Sequence, residues 1–158
     1  MFALLSRCLT RLREDLRGSV LVDFGITAPS FIIVLIGTVE FGRFVVDYHA
    51  VEKSTISAAR YAARLPLEAI DQEVDWGRLK AMNIAWSGSL SGTQGIVPGW
   101  TSSSSVFVTV NPRSAGGTEG EVVSVTATAP ISFGLLSGLG LPATVDVTFV
   151  HEERHVGD

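Results

Sequence analysis

Cysteine is all but missing from this 158-residue chain, with Cys8 standing alone. A single thiol can neither close an internal disulfide nor build a Cys-based metal site, so no covalent staple of either kind is expected. Charge is also scarce. Charged residues make up 18% of the sequence, and twelve Lys and Arg face sixteen Asp and Glu for a net charge of −4. An acidic chain lacks the counter-charge for tight phosphate binding, which argues against a nucleic-acid partner. Hydrophobic residues reach 46%, too many for a disordered protein. The length suits one ordinary domain, or a small domain with an appendage.

The hydrophobicity is concentrated. Phe24 to Val39 reads FGITAPSFIIVLIGTV, without a charge, and stepping back over Asp23 extends the apolar stretch to Ser19. At about 1.5 Å per residue, residues 19–39 are long enough to cross a hydrocarbon core of about 30 Å. A signal peptide fits poorly. Its apolar region is shorter and ends at a small-x-small site, whereas Ala28-Pro29-Ser30 lies in the middle of the run. The flanks set the orientation. Arg7, Arg11, Arg13 and Arg17 precede the span against Glu14 and Asp15, which places the N-terminus in the cytoplasm and the chain after about residue 40 outside.

Helical periodicity continues past the span through Phe44, Tyr48, Val51, Ile56, Ala59 and Ala63, with neither Gly nor Pro between Arg43 and Leu65. One helix over 19–65 is expected, kinked at Pro29 and stopped by Pro66. A second, amphipathic helix is expected from about Glu68 to Trp86, with Ile70, Val74, Leu79 and Met82 among its apolar positions. The Gly- and Ser-rich stretch from Ser87 to Ser105 reads as turns or loop. Three alternating or β-branched runs follow, Val106 to Val110, Glu121 to Ala129 and Ala143 to Val150. The turn signals Asn111-Pro112 and Gly116-Gly117 predict a hairpin between the first two. The fold class is therefore α+β: a long N-terminal transmembrane helix, then an exported domain over 66–158 with a short helix and an antiparallel sheet of three or four strands.

His151-Glu152-Glu153-Arg154-His155 spells H-E-x-x-H, the zincin signature. That chemistry needs both histidines on one helix face, a third ligand downstream and a cleft around an open metal position. The motif instead continues a strand pattern from Val145, Val147 and Phe149, and three residues follow it. A solvated strand end is expected, with no metal, cofactor or catalytic set. Ser102 to Ser105 read as linker rather than nucleophile, and Trp76, Trp86 and Trp100 as core or interface residues.

The combination of an Arg-rich leader, Gly18, a small residue, an apolar span and an acid five residues past the Gly resembles a type IV pilin-like protein. The wording RGSVLVDFGITAPSFIIVLIGTVEFGR, from Arg17 to Arg43, resembles the TadE-like and TadG-like minor pilins of the tight-adherence (Tad) pilus. So does Ala58-Ala59-Arg60-Tyr61-Ala62-Ala63-Arg64. The resemblance implies a prepilin peptidase that cuts between Gly18 and Ser19, discards leader residues 1–18 and frees the α-amine of Ser19. It makes Asp23 the matching acid, where the family usually has Glu. Glu40 and Arg43 also match, although a charged pair past the span is what any anchor needs at the interface.

A carboxylate within the apolar span costs roughly 2.5–3.5 kcal/mol and calls for a partner. The Ser19 amine, one helical turn away on its own chain or on an adjacent subunit, would neutralise Asp23 and set the helix register. The resemblance thus implies a minor pilin or pseudopilin of an adhesive Tad pilus, non-enzymatic, acting by helix packing and subunit contacts after leader cleavage. Its implied partners are the prepilin peptidase, other pilins and minor pilins, an inner-membrane assembly platform and membrane lipid. Its expected location is the bacterial inner membrane, single-pass, with the C-terminal domain in the periplasm. The alternative is an uncleaved, single-pass, membrane-anchored periplasmic binding or scaffold protein.

Overall fold

The computed structural model describes residues 16–70, 76–115, 118–138, 140 and 143–157. The leader up to residue 15, with Cys8, therefore lies outside the described residues, as do Val74 and the Gly116-Gly117 turn. The first element is a helix, α1 (Leu16–Ala62), which runs through Pro29 without interruption. A short helix α2 (Trp76–Ser87) and three strands follow: β1 (Val106–Ala115), β2 (Thr118–Ser132) and β3 (Thr144–Arg154). A four-residue helix α3 (Gly134–Ser137) sits between β2 and β3. The sheet has the order β1-β2-β3 with both pairings antiparallel. This is the α+β class that the hydropathy pattern predicts, with three strands.

The chain divides into two compact units, residues up to Val39 and Glu40–Asp158. In the first unit the apolar side chains of α1 point outward on every side, with Val20, Phe24, Ile26 and Phe31 all about two-thirds exposed. Among the described residues, α1 is the one helix long and apolar enough to cross a membrane. Such a surface needs an apolar surrounding, and membrane anchoring is what it indicates.

The second unit takes residues 40–62 of α1 as part of its core. Val51, Thr55, Ala58, Ala59 and Ala62 recur at helical spacing and are buried, whereas Lys53, Ser57 and Arg60 face water. The buried stripe meets the inward face of the sheet, where alternation puts Val106 and Val108 of β1, Val123, Val125, Ala127 and Ala129 of β2, and Phe149 of β3. The buried hydroxyls are satisfied. The Ser54 Oγ donates to the carbonyls of Val51 and Ala85 at 2.9 and 2.7 Å, and the Thr55 Oγ1 donates to Val51 at 2.8 Å.

The Ser54 bond reaches α2 because that helix presents Gly77, Ala81 and Ala85 as a narrow buried stripe. Small residues let two backbones approach closely, and Gly77 packs against the preceding 3-10 turn. A Cβ there would sit 2.5 Å from the Ala69 carbonyl oxygen.

Three local expectations need correction. The second helix does not begin at Glu68. Leu67–Ala69 form a 3-10 turn, Ile70 leaves the helical region at φ −130°, and α2 starts at Trp76. The Ile70 side chain is fully buried in the core, so tertiary packing overrides its local helical signal. Asn111-Pro112 is no turn, since both residues lie within β1 and pair with Val122 and Glu121. β1 is an edge strand, where a missing N–H is tolerated.

The Ser-rich stretch is also more than linker. Ser102 Oγ accepts from the Ser104 N–H at 3.1 Å to cap a 3-10 turn, and Ser105 Oγ accepts from the Trp100 indole at 2.8 Å. Trp100 is buried, but Trp76 is 53% exposed with the Lys80 ammonium over its ring.

Substitution of Gly77 tests the close approach. In an open helix Gly→Ala gains about 1 kcal/mol. Here the added methyl meets backbone, so Gly77→Ala is expected to destabilise the folded unit by about 1–3 kcal/mol in chemical denaturation of the detergent-solubilised chain. Equal or greater stability would contradict the packing described. Ile70→Ala, which empties a core site, is expected to cost about 2–5 kcal/mol.

Candidate assembly site

The residues singled out by sequence lie along α1. The backbones of Gly18 and Ser19 are already helical, in the first turn after Leu16, and Gly18 is exposed. Asp23 follows Ser19 by one turn, so the two positions lie on one side of the helix. The Asp23 side chain is exposed, and its backbone carbonyl accepts from the Thr27 Oγ1 at 2.9 Å. Pro29 has no N–H, and its ring displaces the bond to the Gly25 carbonyl that a helix would otherwise make. A shallow groove on the same segment is lined by Phe24, Thr27, Ala28, Ser30, Phe31, Ile32 and Val34. Gly18, Ser19, Asp23 and Pro29 therefore share one helix segment. Glu40 and Arg43 belong to the other compact unit.

Glu40 is not a solvated charge at the end of the span. It is fully buried, and its Oε1 accepts a hydrogen bond from the Leu135 N–H of α3. Its Oε2 is the one buried side-chain polar atom without a hydrogen-bond partner among the described residues. Arg43, three residues on, is exposed. An aromatic row begins beside Glu40. Phe41 stacks on Phe44 at 6.3 Å, Phe44 on Phe133 at 5.7 Å, and Tyr48 meets Phe149 at 4.7 Å between ring centres. Glu40, Phe44 and Tyr48 thus fasten one side of the helix to the turn before β3 and to β3 itself.

The far end of α1 is closed by the chain's last residues. Arg64 and Leu65 N–H groups bond back three residues, to Tyr61 and Ala62, which tightens the final turn. Orphan carbonyls beyond it are taken up by the residues after β3: the Val156 N–H donates to Ala63 at 2.9 Å and the His155 Nε2 to Leu65 at 2.8 Å. This accounts for His155 in the zincin-like spelling. His151 lies within β3 opposite Val125, with its Nε2 3.3 Å from the Glu153 Oε2. On an extended strand, residues four apart are separated by about 13 Å, too far to share one ion. His49 is on α1, paired with Glu52 at 3.1 Å. Among the described residues no group of three or more His, Cys, Asp or Glu could hold a metal.

Sequence reasoning missed the Glu40–Leu135 and His155–Leu65 contacts. Neither pair has a local signal, since the partners are separated by about ninety positions. The alanine-rich Ala58–Arg64 stretch is clearer in hindsight: its alanines are the buried stripe, and Arg60 and Arg64 are its exposed edge.

With this geometry in view, the chain is similar to the family of TadE-like proteins, which matches residues 18–64. The matched segment opens at Gly18 and closes two residues past the end of α1, so it covers the helix and none of the sheet. No curated protein and no solved structure matches the chain.

Removal of the Glu40 carboxylate tests its hold on α3. Glu40→Ala leaves the Leu135 N–H without an acceptor, and amide exchange there is expected to accelerate roughly ten- to hundredfold, whereas Glu40→Gln keeps an acceptor and stays near the parent rate. Unchanged exchange in Glu40→Ala would contradict the contact.

Proposed function

We propose that this chain is a minor pilin or pseudopilin of a Tad-type adhesive pilus, assembled by helix packing after a prepilin peptidase removes residues 1–18. The TadE-like match over residues 18–64 carries the reading, because it links this chain to the Tad pilus through the helix that holds Gly18, Ser19 and Asp23. The family is structural rather than enzymatic. A protein of this kind works by binding free energy alone.

The proposed sequence of events is physical. Before cleavage Asp23 sits in an apolar helix with no cation supplied by its own N-terminus, a costly arrangement. Cleavage after Gly18 creates the Ser19 ammonium one turn away. Pairing Asp23 with that amine, within the chain or across to a neighbour, discharges both groups and fixes the axial register of adjacent helices. The open apolar groove from Phe24 to Val34, with Thr27, Ala28 and Ser30 among its lining, is where a neighbouring helix would seat. In this reading the helix is anchored in the bacterial inner membrane with the basic leader in the cytoplasm. Residues 66–158, together with the outer part of α1, face the periplasm and meet other minor pilins. The inner-membrane assembly platform receives the processed subunit.

Substitution at Asp23 tests the pairing. Asp23→Ala is expected to leave the protein in the membrane but to lower its recovery with other pilus subunits by about tenfold or more, as loss of a charged pair in apolar surroundings implies. Asp23→Glu is expected to retain recovery. If Asp23→Ala assembled like the parent, the uncleaved anchored scaffold would be the better description.

A further inference from the structure

We propose that the open edge of β3, with α1 running beside it, receives an extended acidic segment of another protein as a fourth strand of the sheet. The inference concerns the second compact unit alone and holds whether or not the chain is a pilin. Two hollows lie along the same pair of elements. One is lined by Tyr48, Glu52 and Ile56 of α1 and by Thr148, Val150 and His151 of β3. The other is lined by Arg60 and Arg64, at the end of α1, and by Glu153, Arg154 and Val156. The lining residues ascend together in both elements, so the hollows follow one another along a single groove. From Tyr48 to Arg60 the helix rises about 18 Å, and from Thr148 to Arg154 the strand extends about 20 Å, the span of about six paired residues.

The backbone along this groove is a template for pairing. The His155 N–H donates to the Glu121 carbonyl and the Phe133 N–H to the Ala143 carbonyl, which makes the odd-numbered residues of β3 the ones hydrogen-bonded to β2. Thr148 and Val150 therefore turn their N–H and C=O groups away from β2, and among the described residues no backbone partner meets them there. The opposite edge is blunted. By the same alternation Pro112 faces outward on β1, where it offers no N–H. β3 has neither Pro nor Gly from Thr144 to Arg154.

Charge decides what the open edge accepts. The carboxylates lining the groove each have a histidine beside them, Glu52 with His49 at 3.1 Å and Glu153 with His151 at 3.3 Å. The guanidiniums of Arg60, Arg64 and Arg154 have no ion-pair partner among the described residues. A strand added antiparallel to β3 brings its amino-terminal side to those guanidiniums, so acidic residues there are the ones they answer. Alternating side chains beyond them place one face over Tyr48 and Ile56 and the other in water.

The test uses the full chain in detergent micelles and two acetylated, amidated peptides. One begins Asp-Glu and continues as alternating Val and Thr, and the other begins Lys-Lys before the same alternation. Binding is read by calorimetry, and amide exchange at Thr148 and Val150 by NMR. The expected result is saturable binding of the acidic peptide, about tenfold or more tighter than that of the basic one, with exchange at both amides slowed about tenfold or more. Arg64→Glu combined with Arg154→Glu is expected to reverse the preference, and both side chains are exposed, so the fold is kept. Methylation of the peptide nitrogens that donate to β3 is expected to abolish binding. Absence of binding, binding indifferent to charge or to methylation, or unchanged exchange at Thr148 and Val150 overturns the proposal. Amides at Thr148 and Val150 that are already protected in the free chain and released on dilution show a second copy on this edge, and overturn it as well.

Discussion

A single unbroken helix meets two different surroundings in succession, and the remaining elements answer to that constraint. Up to Val39 the helix exposes apolar side chains on every side, as only an apolar solvent permits. From Glu40 onward it becomes one wall of a core, and its inward face carries mostly alanine, serine and threonine beside Val51, buried in one cluster with the sheet residues. On that small-residue face the Ser54 hydroxyl reaches the Ala85 carbonyl of the second helix. A Cβ at Gly77, where the second helix meets the turn after the first, would run into the Ala69 backbone.

Because residues 40–62 supply part of the core, the second unit begins at Glu40 and takes in more than residues 66–158. A three-stranded sheet and a twelve-residue helix share one buried cluster with the long helix. The two ends of that helix segment are held differently. At Glu40 a carboxylate and an aromatic row grip the turn before β3, and at Ala63 and Leu65 the residues after β3 cap the helix carbonyls. One strand and its two flanks thereby fix both ends.

The long helix, the three strands and the α+β class were legible because each rests on local periodicity: apolar continuity over 24–39, and alternation at Val106, Val123 and Val147. Contacts between distant positions were not. Nothing near Glu40 in the chain announces a backbone N–H ninety-five residues away, so it looked like an interface charge. Pro112 read as a turn because its local signal is real, and only its place in an edge strand makes it tolerable there. Ser102 to Ser105 read as linker because capping and indole pairing depend on Trp100, itself buried by the core. Of the proposed assembly residues, the sequence offers the spacing from Gly18 to Asp23, and the fold adds that both lie on one continuous helix.

The proposed function depends on a free amine at Ser19, which turns Asp23 from an isolated acid in an apolar helix into half of a pair. The most direct measurement is the N-terminal sequence and intact mass of the protein taken from membranes with and without the prepilin peptidase. The expected result is a terminus beginning Ser19-Val20-Leu21 when the peptidase is present, and the intact leader when it is absent. A chain that keeps its leader in both membranes would contradict the proposal and leave a permanently anchored protein.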